Sequence, residues 1–166
     1  MGPPGRHLLR RSRTINKSKV NHILVVDDDP DIRMLLVMNL ELSGYLVTEA
    51  DNGHQAVDLA RELLPDLIVL DVMMPGLDGL GVLEVLRAGD TTRDIPVVIC
   101  TAKASDHDVW AGWQAGVDYY MTKPFDPDHL LQFIEYLGDP DHRELPGQTE
   151  ALPAATGEGR PATPAP

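Results

Sequence analysis

The 166-residue sequence predicts an α/β fold, a five-stranded parallel sheet wound on both faces by five helices. Two observations lead there. Short apolar runs alternate with segments whose apolar residues recur at helical spacing, and such alternation implies parallel neighbours, which need crossover connections. Three of the strand-like stretches also run into chemically loaded loops: DDD at 27–29, DVMMPGLDG at 71–79 and TKPF at 122–125. In an open α/β sheet, sites are built at the carboxyl ends of strands.

The elements follow in order. Residues 23–26 form a short apolar run ending in carboxylates. Ile32, Leu35, Leu36 and Leu40 then make a helical stripe that stops near Gly44. Residues 45–49 read as a strand, and Ala56, Leu59, Ala60 and Leu63 repeat at helical spacing until Pro65. Residues 67–70 are continuously apolar, as expected of a strand buried on both faces. A helix over 79–87 and a strand over 97–100 come next. Residues 106–115 read as helix and 118–121 as a short strand, and Leu130, Leu131, Ile134 and Leu137 give the last helix its inner face.

The termini differ from this middle. Residues 1–21 hold six basic residues, no acidic one and no sustained apolar period, and read as a basic flexible extension. Residues 139–166 are rich in Pro and Ala and read as a flexible tail, leaving 22–138 as the folded domain. The net charge of −12 argues against a general nucleic-acid binder, so no direct DNA binding is expected. Cys100 is the single cysteine, which rules out an internal disulfide, and its apolar run marks it as buried rather than nucleophilic. No stretch is long and apolar enough to span a membrane, and the basic start lacks the apolar segment of a secretory signal. A cytoplasmic protein is the expectation. The six histidines show no ligand spacing, which argues against zinc.

The three loops carry the chemistry. Asp27 and Asp28 are adjacent carboxylates that repel unless something neutralises them, and a hard divalent cation such as Mg²⁺ does so. Asp29 followed by Pro30 fits a helix cap, a bland reading that would also explain an acidic run. Asp71 ends the most apolar strand, where a rigidly held carboxylate makes sense beside a metal; the ordinary alternative is a turn cap. Pro75, Gly76 and Gly79 define the following loop, with Asp78 placed to cap the next helix. Lys123 precedes Pro124, and Thr101 offers a hydroxyl at the same edge. Alone, either of these would be a solvated surface group.

Taken together, ILVVDDD, LDVMMPGLDG, VVICTA and YYMTKPF, in this order and spacing, closely resemble the receiver domain of two-component response regulators, a flavodoxin-like fold. The resemblance covers residues 21–138. It implies that Asp71 is the phosphoacceptor and that Asp27 and Asp28, with Asp71 and the backbone carbonyl of Met73, bind Mg²⁺. It implies that Thr101 is the switch hydroxyl, Lys123 the phosphoryl-binding lysine, Tyr120 the aromatic switch residue and Lys123–Pro124 a cis bond. The donor would be a sensor histidine kinase or phosphotransfer protein. The aspartyl phosphate would draw Thr101 inward and let Tyr120 turn in from solvent. That movement would present a protein target with a new face built from residues 106–115, 118–121 and 127–137.

With Met73 two residues after Asp71 and Lys103 two after Thr101, slow self-dephosphorylation is expected. Trp110 and Trp113, three residues apart on the fourth helix, are read either as core residues or as a partner anchor. No output domain follows the receiver segment, so a stand-alone signalling module is expected, catalysing only its own phosphorylation and dephosphorylation. Two rivals remain. A constitutive interaction module would keep the fold without phosphorylation, although such a module usually lacks one of the site residues. A phosphatase with an Asp nucleophile would need a second acid where Met73 stands.

Overall fold

The computed structural model describes residues 20–102 and 105–138, and of residues 106–110 the backbone alone. The expected extension and tail fall almost wholly outside the described residues, as does Lys103. Val20 and Asn21, read from sequence as the end of the basic segment, already lie on the fold. Val20 is buried, and the Asn21 N–H donates to Asp66.

Ten elements alternate: β1 (His22–Val26), α1 (Pro30–Leu42), β2 (Leu46–Ala50), α2 (Gly53–Leu63), β3 (Leu67–Leu70), α3 (Gly79–Ala88), β4 (Val97–Thr101), α4 (Asp106–Ala115), β5 (Tyr119–Thr122) and α5 (Pro127–Gly138). The strands are all parallel in the order β2-β1-β3-β4-β5. The winding direction reverses between β1 and β3, the kind of switch point that opens a crevice above the strand ends.

Successive side chains of a strand point to opposite faces, so one sheet feeds two cores. On one face Leu24, Val26, Ile68, Leu70, Val97 and Ile99 pack with buried residues of α2 and α3, together with Tyr120. On the other, Ile23, Val25, Val69, Val98, Cys100 and Met121 meet Leu36 and Leu40 of α1 and Leu130, Phe133 and Ile134 of α5. Each fully buried aliphatic side chain contributes about 1.5–3 kcal/mol relative to exposure. The central strands β1, β3 and β4 therefore anchor whatever sits at their ends. Burial pushes the Cys100 thiol up to about 12, which suits a packing residue.

Several boundaries shift by one residue, for local reasons. Tyr45 lies in the turn that closes α1, not in β2. Its N–H donates to Leu40 O at 3.1 Å while Gly44 N–H donates to Glu41 O at 2.9 Å, a closing turn that Gly44 permits with φ +92°. Asp118 likewise precedes β5, its carboxylate engaged with the start of β4. The α1 stripe is narrower than expected: Leu36 and Leu40 are buried, Ile32 is half-buried, and Leu35 is 44 % exposed. A helix lying against one sheet face buries a single line of i, i+4 positions, and Leu35 falls beside that line. On α2, Leu63 is exposed for the same reason. On α5, Phe133 takes the inward place expected of Leu131 and Leu137, which are half-buried at the flanks.

Candidate functional site

The site is a continuation of the sheet. Hydrogen bonding runs one residue past the strands: Asp27 N–H donates to Ala50 O, Asp71 N–H to Val26 O at 2.9 Å, and Lys123 N–H to Thr101 O at 2.8 Å. Three backbones are thereby fixed side by side before any side chain is placed. Behind the acceptor, Gly79 packs so closely that a Cβ there would lie 2.2 Å from the Asp71 carbonyl oxygen. Only glycine lets α3 begin directly under Asp71. Asp29 caps α1 by accepting from the N–H groups of Asp31 and Ile32, with Pro30 at the first helical position, and Asp78 caps α3 through Gly81 N–H at 2.8 Å. Both caps were expected from sequence.

Asp27, Asp28 and Asp71 come together, each offering a carboxylate oxygen within 4.8 Å of the others. Asp27 and Asp71 are buried, whereas Asp28 faces solvent. The Lys123 ammonium reaches in from the β5 end, 2.7 Å from Asp27 Oδ2 and 3.5 Å from Asp71 Oδ2. The Lys123–Pro124 bond is cis. Thr101 is fully buried at the last position of β4, and its hydroxyl hydrogen bond is among the influences that favour ionised Asp71.

The electrostatics of the acceptor are opposed. Burial, then the charge of Asp27, raises the Asp71 pKa above the ordinary carboxylate value; Lys123, the Met73 N–H and Thr101 pull it back without prevailing. For Lys123, burial works against the charge, but the hydrogen bond and charge of Asp27, followed by Asp71, hold its pKa above normal. One ammonium thus serves two buried carboxylates and a third nearby. Among the described residues the donor set is all hard oxygen, Lys123 compensates only part of its charge, and exposed Asp28 leaves one side open to water. These features fit Mg²⁺, which keeps several waters and takes few carboxylates.

One expectation changes here. Tyr120 is already inside: it is 6 % exposed, its ring lying where a Cβ on Gly112 would touch it at 3.3 Å. The sequence reading had it turning in from solvent, but the missing side chain of Gly112 leaves room for the ring beside Ile99. Met73 donates its N–H to Asp71 Oδ1 at 3.2 Å and is 52 % exposed. Trp113 is half-buried against the core, while the Trp110 side chain lies outside the described residues.

Sequence reasoning missed Arg33. Its guanidinium donates to the Asp27 carbonyl at 2.8 Å and to Glu49 at 3.1 Å. The available signal was a cation in the first turns of α1, where the helix dipole disfavours positive charge.

The model of the response regulator receiver domain matches residues 23–135. The chain belongs to this family. The DNA-binding dual master transcriptional regulator RpaA of Synechocystis is 41 % identical over 133 residues, which is 80 % of this chain and 52 % of that protein. The DNA-binding response regulator MtrA of Mycolicibacterium smegmatis is 43 % identical over 109 residues, 66 % of this chain and 46 % of its own length. A solved structure of a putative response regulator from Chloroflexus aurantiacus superposes with a TM-score of 0.68 at 32 % identity, covering 72 % of this receiver chain and 98 % of that one.

The receiver chain spans about half the length of the curated relatives it matches. Two of these relatives are DNA-binding by name, which overturns the expectation of no direct DNA binding. That expectation rested on the net charge of a chain that spans about half the length of those relatives. No helix among the described residues is long and apolar enough to cross a membrane.

Proposed function

We propose that this receiver domain accepts a phosphoryl group on Asp71 from a phosphohistidine of a sensor kinase or phosphotransfer protein. An Asp71 carboxylate oxygen attacks phosphorus, the P–N bond breaks, and the imidazole nitrogen leaves with the bonding pair. The product is an acyl phosphate that water later hydrolyses. Asp27, Asp28 and Asp71, with the Met73 carbonyl, would hold Mg²⁺, which supplies charge neutralisation and a template for in-line transfer. Lys123 leaves Asp27 for the phosphoryl oxygens, and Thr101 donates its hydroxyl to another of them.

The observation that carries this reading is the convergence of three carboxylates and Lys123 at the carboxyl edge, with Asp71 only 5 % exposed. A buried acid beside a second acid is costly and has little structural purpose. Because Tyr120 is already inside, phosphorylation acts by holding the ring there: Thr101, engaged by the phosphoryl group, narrows the distribution of Tyr120 positions and fixes the surface of α4, β5 and α5. This is a shift between populated states.

The test is the intact mass of the protein after incubation with Mg²⁺ and acetyl phosphate, beside Asp71→Asn. We expect a labile, Mg²⁺-dependent gain of one phosphoryl group in the wild type alone. No gain from acetyl phosphate or from candidate kinases, with folding confirmed, would favour a constitutive interaction module instead.

A further inference from the structure

We propose that Arg33 is a positioning residue for the acidic pair, holding the Asp27–Asp28 peptide in the geometry that binds the cation. This rests on the reading of Asp27 and Asp28 as metal ligands.

Asp27 is constrained from every direction. Its N–H is bonded to Ala50 O. Its Oδ1 accepts from Asp29 N–H at 2.9 Å, and its Oδ2 from Lys123 at 2.7 Å. Its carbonyl oxygen accepts from Arg33 Nη1 at 2.8 Å, while Arg33 Nε donates to Glu49 Oε1 at 3.1 Å. The guanidinium thus bridges the turn after β1 to β2. The peptide it grips links Asp27 to Asp28, so one planar unit aims both carboxylates. Asp28 is exposed, and its direction depends on that unit.

Arg33 itself is well placed to act this way, being only 19 % exposed at the side chain and held at two points. A planar fork can hold a carbonyl and a carboxylate at once; a lysine ammonium on a flexible stem cannot hold both in fixed directions. The cation lies at the dipole-disfavoured end of α1, and its two hydrogen bonds offset that cost.

Two effects of Arg33 on a bound cation oppose each other. Its charge repels Mg²⁺ through space, so a purely electrostatic role predicts tighter binding when it is removed. Positioning predicts weaker binding, on the scale of about 10-fold for partners that orient ligands from behind.

The experiment is calorimetric titration of the full chain with MgCl₂ in wild type, Arg33→Met, Arg33→Lys and Arg87→Met, with thermal melts alongside. We expect Arg33→Met to lose about 10-fold in Mg²⁺ affinity and Arg33→Lys to fall between it and wild type. Arg87→Met, at the far end of the sheet, should lower the melting temperature without moving the Mg²⁺ affinity. Unchanged or tighter binding in a folded Arg33→Met overturns the inference. If Arg33→Met does not fold, Arg33→Lys decides: weakened binding supports positioning, and wild-type affinity overturns it. No Mg²⁺ binding by the wild type would overturn the metal reading itself, and the inference with it.

Discussion

The two ends of the sheet both carry buried or half-buried carboxylates, and they treat them in opposite ways. At the amino edge, Asp66 accepts from the N–H groups of Asn21 and His22 at 3.0 and 2.9 Å. Asp118 accepts from Val97 N–H at 2.8 Å and from Arg87 at 3.0 Å. Arg87 further donates to the carbonyls of Gly116, Arg93 and Ile95. Each acid there meets backbone donors, and the bridging cation meets acceptors on all sides. At the carboxyl edge the acids face one another, and Lys123 is shared between Asp27 and Asp71. One edge is closed by its own hydrogen bonds. The other brings three carboxylates together around Lys123.

If that contrast is right, the largest stability loss should come from the closed edge. Arg87→Met removes a bridge among α3, the α4–β5 turn and the starts of β4 and β5, and strips the buried side of Asp118 of its charge partner. We expect a loss of about 3–5 kcal/mol, the scale of breaking a buried pair by deleting one member. Urea melts should show the same loss with and without Mg²⁺. A loss that Mg²⁺ largely reverses would mean that the two edges are coupled and the contrast is misdrawn.

Lys123→Met tests the open edge. Without Mg²⁺ it leaves Asp27 and Asp71 uncompensated, and we expect a cost of about 2–3 kcal/mol, less than at Arg87 because the site is partly wetted through Asp28. Here Mg²⁺ should restore most of the stability, since a ligand bound only to the folded state stabilises it in proportion to the logarithm of its concentration over Kd. Melting temperatures measured with EDTA and with excess MgCl₂ decide the matter. An equal loss in both would contradict a cation-binding role for the carboxylates.

The contrast also explains what could be read from the sequence. The open edge was legible because it leaves a composition trace: carboxylates after apolar strands, a lysine before proline and a hydroxyl after β-branched residues, together in one order and spacing. The parallel sheet and its helix-covered faces followed from the alternation of apolar runs, whereas the strand order came from the structure. The closed edge was not legible. Arg87, Asp66 and Asp118 are ordinary residues on a helix or beside a strand, and several of their partners lie far along the chain, Gly116 at 29 positions from Arg87 and Asn21 at 45 from Asp66. Arg33 was hidden for the same reason, its Glu49 partner being 16 residues on. The position of Tyr120 was misread because it depends on the side chain that Gly112 lacks, a fact about a neighbouring helix rather than about the strand.

A smaller effect, of opposite sign, is expected at the acceptor. Burial and Asp27 raise the Asp71 pKa in the folded state. Such a group adds stability below the pKa of the unfolded chain, and that contribution is lost as pH rises through the folded value. At neutral pH, ionised Asp71 therefore weakens the metal-free fold. Asp71→Asn should be more stable than wild type by about 1 kcal/mol in EDTA. The difference should grow as pH rises from the ordinary carboxylate range towards neutrality. Urea midpoints for both proteins across that interval provide the check, and parallel curves would show that Asp71 is relaxed in the fold.

The smallest effect concerns how long the open edge stays charged. Met73 is held beside the acceptor by its N–H bond to Asp71 Oδ1, with its side chain half in solvent. An apolar thioether there offers an incoming water no hydrogen bond, so an acyl phosphate on Asp71 would be shielded on that side. Asn at this position supplies an amide that can hold and orient a water towards phosphorus. We expect Met73→Asn to accelerate loss of the phosphoryl group severalfold, a change of about 1 kcal/mol in barrier. Its stability should stay within about 0.5 kcal/mol of wild type because the side chain is exposed. The decay of the phosphorylated mass after removal of acetyl phosphate measures this directly. Equal decay in both proteins would mean that the attacking water approaches from another side, and that the lifetime is set by Lys123 and Thr101, the residues proposed to hold the phosphoryl oxygens, rather than by the loop that follows Asp71.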